Sequence, residues 1–271
     1  ILFDVDRIRK QIGKMEEGES EFYSYRYLGS VGFLPSYAFP DSAAGLNYFT
    51  KYDEKRIVRN KVLALREFAP HNTVYASGGT YKITGVNTRI TDPWVQVKIC
   101  PTCKHIMLND VSKSLCVRCG ASLLGEHALP YVMPMADMVA EPRHRINSDE
   151  EDRNRSGYLI DMYYSDDINK QLAKEISLNN ETLFKLAYEH NGTIAAINEG
   201  LRKNIKEGRH GFTYCHKCKK WLDKDEAETH FWDQKEKKGD CFNRGYEESD
   251  RFNGVRLMAH GQHDVLTIKS S

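Results

Sequence analysis

WVQVKICPTCKHIMLNDVSKSLCVRC, residues 94–119, decides how this chain is read. It opens as an alternating apolar and polar run, residues 94–99, the pattern of a half-buried strand. It then breaks into Cys100-Pro-Thr-Cys103 and, after twelve residues, closes with Cys116-Val-Arg-Cys119. Two such turns present four thiolates. A structural Zn²⁺ takes four sulfur or nitrogen ligands at the corners of a tetrahedron, commonly as two pairs from CxxC turns. A strand running straight into such a loop predicts a zinc ribbon inserted between strands of a small β-barrel or sheet.

The other three cysteines repeat the theme. Cys215-His-Lys-Cys218 is followed, after eleven intervening residues, by His230 and, after ten more, by Cys241. All seven cysteines and one histidine therefore sort into two complete ligand sets, implying two zinc ions. His216 is the rival nitrogen donor, but it lies inside the CxxC turn, where the geometry sends a ring outward. His230 follows a helix-forming stretch and is better placed to reach back. Four protein ligands leave no open position for water or substrate, so both sites speak for architecture and against hydrolysis. No HExxH, GxSxG or GxxxxGK[ST] pattern occurs, and no thiol is left over as a nucleophile. Any active site of the parent protein is expected outside these residues.

The 271 residues carry 39 Lys+Arg against 38 Asp+Glu, so no global field draws in polyanions, and nucleic-acid contact must come from a local patch. Residues 202–224 form the best such patch. Arg202, Lys203, Lys206, Arg209, Lys217, Lys219, Lys220 and Lys224 lie there, against Glu207 and Asp223, among the aromatic residues Tyr214 and Trp221, with Phe231 nearby. Basic residues with interleaved rings suit a single-strand groove, and Trp221 is the expected stacking face. No apolar run approaches membrane-spanning length and no signal peptide is read. Paired CxxC turns fit a reducing cytoplasm better than a disulfide framework.

The remaining pattern is strand-rich. Residues 1–17 read as an amphipathic helix lying on a partner surface, and residues 54–69 as a second helix closed by Pro70. Residues 73–83 form a hairpin about Gly78-Gly79. Residues 131–139 and 158–163 are extended, and the acidic stretch 147–156 is the linker. Residues 183–188 pair with 193–197 across Asn191-Gly192, residues 212–214 run into Cys215, and residues 255–259 and 264–268 are separate closing strands. The expected fold class is α+β and strand-rich, with small β-barrel or sheet modules, two zinc knuckle or ribbon insertions and N-terminal helices. The expected domains are a connector over 1–70, a β-module over 71–146 and a second zinc module over 157–271, the last cut short at its C-terminus.

Four phrases, GFLPSYAFP (32–40), REFAPHNTVYASGGTYKITGV (66–86), CPTC…CVRC and YCHKC…H…C…HDVLTI, occur in this order. Together they resemble the region after the motor core of large bacterial superfamily 2 DEAD/DEAH-box helicases. The likeness is to the zinc-binding C-terminal part of Mrf-type repair helicases and of DISARM-like and Druantia-like phage-defence helicases. The resemblance implies a DNA-translocating ATPase whose ATP and Mg²⁺ belong to a motor upstream, in the same or another chain. It also implies single-stranded or forked DNA and defence-complex subunits as partners. The family's cysteine ligands carry over onto Cys215, Cys218 and Cys241. Two other readings stay open: a non-motor zinc scaffold that docks a separate helicase, and a free-standing nucleic-acid-binding zinc-ribbon protein.

Overall fold

Three segments carry nearly unbroken apolar runs, VMPM (132–135), TIAAI (193–197) and VRLMA (255–259), and a strand buried on both faces requires such runs. In the computed structural model they are the inner parts of three strands: β7 (Ala128–Pro134), β11 (Glu181–Leu201) and β14 (Arg251–Ser270). The structure describes residues 43–50, 53–87, 93–124, 128–143, 157–165, 171–179, 181–230, 241 and 248–270. The helix expected over 1–17 and the linker expected over 147–156 lie outside them.

Alternation along these strands divides the interior in two. Val132, Ala195, Ile197 and Met258 point to one side, where Val97, Ile106 and Tyr163 join them. Met133, Ala196, Leu257 and Ala259 point to the other, into the larger core. The smaller core fills a ring of strands. β5 (Val95–Ile99) pairs with β6 (Ile106–Leu108) and β7, β7 runs parallel to β14, and β14 pairs with β11. β11 pairs with β9 (Tyr158–Ser165), and a bridge between His105 and Tyr164 returns the circuit to β6. This closed ring is the small β-barrel that the strand into Cys100 implied.

The larger core lies under a mixed sheet. β1 (Ala43–Phe49) pairs with β2 (Glu54–Asn60) and runs parallel to β8 (Asp137–Pro142). β8 pairs with β4 (Gly79–Asn87), β4 with β13 (Lys220–Leu222), and β13 with β12 (Phe212–Cys215), which pairs with β14. The path from β2 to β14 and onward through β7 and β5 to β6 runs over ten strands, and four more paired off it make one sheet of 14 strands among the described residues. The fold is thus strand-rich α+β, as the pattern along the sequence indicated. The segments 71–146 and 157–271, however, are not separate modules. The β4–β13 and β7–β14 ladders join them, and 42–271 forms one compact unit.

Helix α1 (Lys61–Glu67) packs against this sheet with Ala64 and Leu65 wholly buried. The helix expected over 54–69 is therefore half strand. Ile57 and Val58, β-branched and in register with Leu46 and Gly45, favour the sheet, and the helix starts only where Asn60 accepts from the N–H of Val62 at 2.9 Å. Buried Asn198 on β11 locks the helix down, its Nδ2 donating to the Leu65 carbonyl at 2.6 Å and its Oδ1 accepting from Gly200 N–H at 2.9 Å. Asn198→Leu strands two buried backbone groups and is expected to cost about 2–3 kcal/mol in urea unfolding. A loss under about 0.5 kcal/mol would contradict this anchoring.

β3 (Thr73–Ala76) and β4 form the expected hairpin, with Ala76 opposite Gly79. The two turn residues are Ser77 and Gly78, at φ of 48° and 73°, so Gly79 already belongs to the strand. β11 is one continuous strand, not the hairpin expected at Asn191-Gly192. Asn191, at φ 66°, instead marks a bulge in its pairing with β14. The two closing strands expected near the end are likewise one, β14.

Candidate metal centres and a basic groove

Both tetrads hang from strand ends. Cys100 follows β5 directly, and Cys103 completes the turn before β6. Cys116 and Cys119 form a second turn closed by the Cys116 N–H donating to the Ala121 carbonyl at 2.8 Å. Buried Lys98 steadies the loop between them, donating to the Val111 and Lys113 carbonyls at 3.1 and 2.7 Å. In the second set, Cys215 ends β12 and Cys218 lies in the turn to β13. His230 closes helix α3 (Lys224–His230), and Cys241 is fully buried beside Cys215.

The three CxxC turns share one geometry. The residue after the second cysteine donates its N–H to the carbonyl of the first at 2.9 Å: Lys104 to Cys100, Gly120 to Cys116, and Lys219 to Cys215. Each adopts a positive φ, at 57°, 70° and 63° respectively. That reversal leaves the N–H groups inside the turn pointing at the sulfurs, as in the contact from Arg118 N–H to Cys116 Sγ at 3.4 Å.

The ligand atoms of each tetrad lie within 4.8 Å of one another. Cys100 and Cys119 Sγ are 3.6 Å apart, and Cys103 and Cys116 Sγ 3.7 Å. In the second set, Cys215 and Cys241 Sγ are 3.5 Å apart, and Cys218 Sγ is 3.3 Å from His230 Nε2. Disulfide bonding, at about 2.0 Å, is excluded. Metal–sulfur bonds of about 2.3 Å set tetrahedral edges near 3.8 Å, so both sets have the dimensions to hold a metal ion. His230, not His216, completes the second. The His216 ring turns away, 3.3 Å from Lys219 Nζ and against Phe252.

The electrostatics prepare one thiolate in each set. Burial opposes ionisation of Cys100, but the N–H groups of Cys103 and Thr102 and the facing thiols outweigh it and bring the group to about 7. Hydrogen bonding from the Cys215 thiol, aided by the Lys220 N–H, lowers Cys218 to about 5 against burial. Cys215 is driven up by sharing with Cys218, and Cys103 by burial. Each tetrad thus holds its protons jointly, a set that a cation readily displaces.

Asp223 and Glu226 start α3 with a reciprocal cap: Glu226 N–H donates to Asp223 Oδ1 at 2.9 Å and Asp223 N–H to Glu226 Oε2 at 3.1 Å. Both carboxylates also pair with Lys82 Nζ, at 3.3 and 3.2 Å. His71 converges on the same pair, but the cap and Lys82 account for the two acids without a cation. Burial works against the Asp223 carboxylate, yet the Glu226 N–H and Lys82 hold it below its usual range. A lowered carboxyl stabilises the fold above its unfolded value and loses that contribution as pH falls through the folded one. Asp223→Ala is expected to cost about 1 kcal/mol at neutral pH in urea unfolding, and less below about pH 4. A cost that stays constant into acid would contradict the charge-based cap.

The basic stretch read from the sequence is dispersed. Arg202 and Lys203 on α2 (Arg202–Lys206), with Arg209, line a groove of about 1720 Å³; Lys206 does not. Lys217 is exposed on the metal knuckle, Lys219 packs on His216, and Lys220 pairs with Glu141 at 3.2 Å. Trp221, expected to stack a base, is 2% exposed and packed against Tyr214 and Phe212 in the core. Tyr214 is equally buried, and Phe231 lies outside the described residues. The groove keeps Lys224 from that stretch and recruits Arg66, Lys82, Arg143 and Arg251 from elsewhere, giving eight lysines and arginines against four carboxylates, with the exposed ring of Tyr75 on one wall. Only the fold brings these distant positions together. No helix among the described residues is long and apolar enough to cross a membrane.

No family model, curated protein or solved structure matches the chain.

Proposed function

We infer that this chain is a zinc-bearing accessory region of an ATP-dependent superfamily 2 DNA helicase or translocase, working in phage defence or DNA repair in the cytoplasm. Two zinc ions hold its knuckles. The donor sets, four thiolates in one and three thiolates with an imidazole in the other, are those zinc favours in closed structural sites. Its part is to support the motor and guide single-stranded DNA; ATP and Mg²⁺ act in the motor.

The groove is the observation that carries this reading. It concentrates positive charge on a chain of nearly balanced composition. Phosphates are held by such lysines and arginines, and Tyr75 offers a face for a base. The triple variant Arg143→Glu, Arg202→Glu, Lys203→Glu is expected to weaken binding to a labelled oligothymidine by more than about tenfold in fluorescence anisotropy, with a shallower salt dependence. Tyr75→Ala is expected to cost about tenfold with the slope unchanged. Equal affinity for the triple variant and the parent chain at every salt concentration would refute the groove as the DNA path.

A further inference from the structure

We propose that two copies of this chain associate through the apolar face of a three-stranded arm formed by β10 (Leu172–Leu178), the first half of β11 and the last half of β14.

The arm arises because β11 and β14, at 21 and 20 residues, run on together past the bulge at Asn191. β10 joins their outer part in antiparallel register. Residues directly opposite in such a ladder share a face. The register aligns Leu172, Tyr188 and Leu266 in one row, Lys174, Leu186 and Ile268 in the next, and Ile176 with Phe184 in a third. The reverse face carries Glu175 opposite Lys185, ion-paired at 2.9 Å, beside a row of Ala173, Ala187 and Thr267. The reverse face mixes small, polar and ion-paired side chains; the other face, apart from Lys174, carries large apolar ones.

That apolar face is open to solvent. Leu172 is 74% exposed, Ile268 60% and Leu266 57%, with Ile176, Phe184 and Tyr188 exposed beside them. Together they present on the order of 600 Å² of surface, at the top of the range that a monomer ordinarily leaves in its largest apolar patch. A stable interface buries about 800 Å² per partner, so this face with its rim reaches the required size. Among the described residues nothing covers this face, so it lacks the second layer from which a β core is made.

Charge decides the occupant. The face bears Lys174 on its outer strand and, at the end nearest the bulge, the His190–Asp264 pair at 2.6 Å. It offers nothing that selects a strongly charged partner. A second copy brings an identical layer, and stacking two sheet faces about 10 Å apart covers both at once in a closed, isologous contact. This association stands independently of the DNA groove, which none of these residues lines.

Sedimentation of the full chain between about 1 and about 100 µM tests it, with an expected dissociation constant of roughly 10 µM or tighter. Phe184→Asp and Leu266→Lys, each at an exposed position, are expected to weaken the dimer by at least about 100-fold, with circular dichroism and bound metal unchanged. Glu175→Ala, on the reverse face, should leave it within about twofold. A chain monomeric throughout the range overturns the proposal and leaves the face to another occupant. A dimer that survives both face substitutions overturns it equally.

Discussion

Cys215→Ser is expected to halve the bound metal and to lower the melting temperature by on the order of 10 °C, more than Cys119→Ser does. Both changes remove one ligand of four, so the difference lies in what each knuckle supports. Cys215 and Cys241 are wholly buried, and their cluster includes Leu222 and Ala227. The turn after Cys218 enters the sheet itself: the Lys219 carbonyl accepts from Val86 N–H at 2.9 Å, and a Cβ at Gly85 would meet it at 3.0 Å. On the other side, His216 N–H donates to the Asp250 carbonyl at 2.8 Å, just before β14 begins. Loss of that metal therefore loosens the β4–β13–β12–β14 path through the larger core. Cys119 is exposed, at the tip of a ribbon whose small cluster of Met107 and Leu123 lies apart from both cores. Differential scanning fluorimetry with metal analysis decides this, and equal shifts for the two variants would show that the second centre is no more central than the first.

Gly211→Ala is expected to destabilise the chain by about 4 kcal/mol or more, enough to leave much of it unfolded on expression. Gly211 sits at φ 71°, and an added Cβ would lie 2.5 Å from the Gly254 carbonyl carbon and 2.6 Å from the Val255 oxygen. Those are backbone atoms and cannot swing aside. Relief requires parting β12 from β14 where Phe212 pairs with Val255, beside the Gly211 N–H bond to the Glu199 carbonyl at 2.7 Å. Gly200, at φ 108°, is confined by the same crossing: a Cβ added there would meet Gly211 N and O at 3.0 Å. Gly208 is the control: its φ of 78° is equally left-handed, but nothing lies within 4 Å of its added Cβ. Gly208→Ala should cost only the backbone penalty, about 1 kcal/mol. Comparable melting temperatures for the two variants would contradict the close crossing. Gly211 and Gly254 also line the basic groove, so the same substitution should depress DNA binding in whatever fraction folds.

The two clusters that could hold a metal were legible because their chemistry is local. A CxxC turn announces its own geometry, and a strand ending at Cys100 or Cys215 shows where that turn hangs. The hairpin at Ser77-Gly78 was legible for the same reason, its glycines marking a positive-φ turn between alternating residues. Residues 54–60 were misread because Val58, Val62 and Leu65 keep helical spacing, while the pairing of Ile57 with Leu46 that makes them a strand is not written in that segment. β11 was misread because Asn191-Gly192 is a turn signal, here spent on a bulge once β14 lies alongside. The two apparent modules merged because the β7–β14 ladder joins residues more than a hundred positions apart. The groove was least legible. Arg66, Arg143 and Arg251 are ordinary surface residues in sequence, and only tertiary structure gathers them around Arg202. Trp221 looked available for stacking because composition cannot tell a surface ring from a core one.

Elemental analysis of the purified chain by inductively coupled plasma mass spectrometry tests the central claim most directly. Two closed four-ligand centres predict two zinc ions per chain, falling to one when either Cys103 or Cys218 becomes serine, and to none when both do. A purified, folded chain with no bound metal, or one whose metal content ignores those substitutions, would contradict the account.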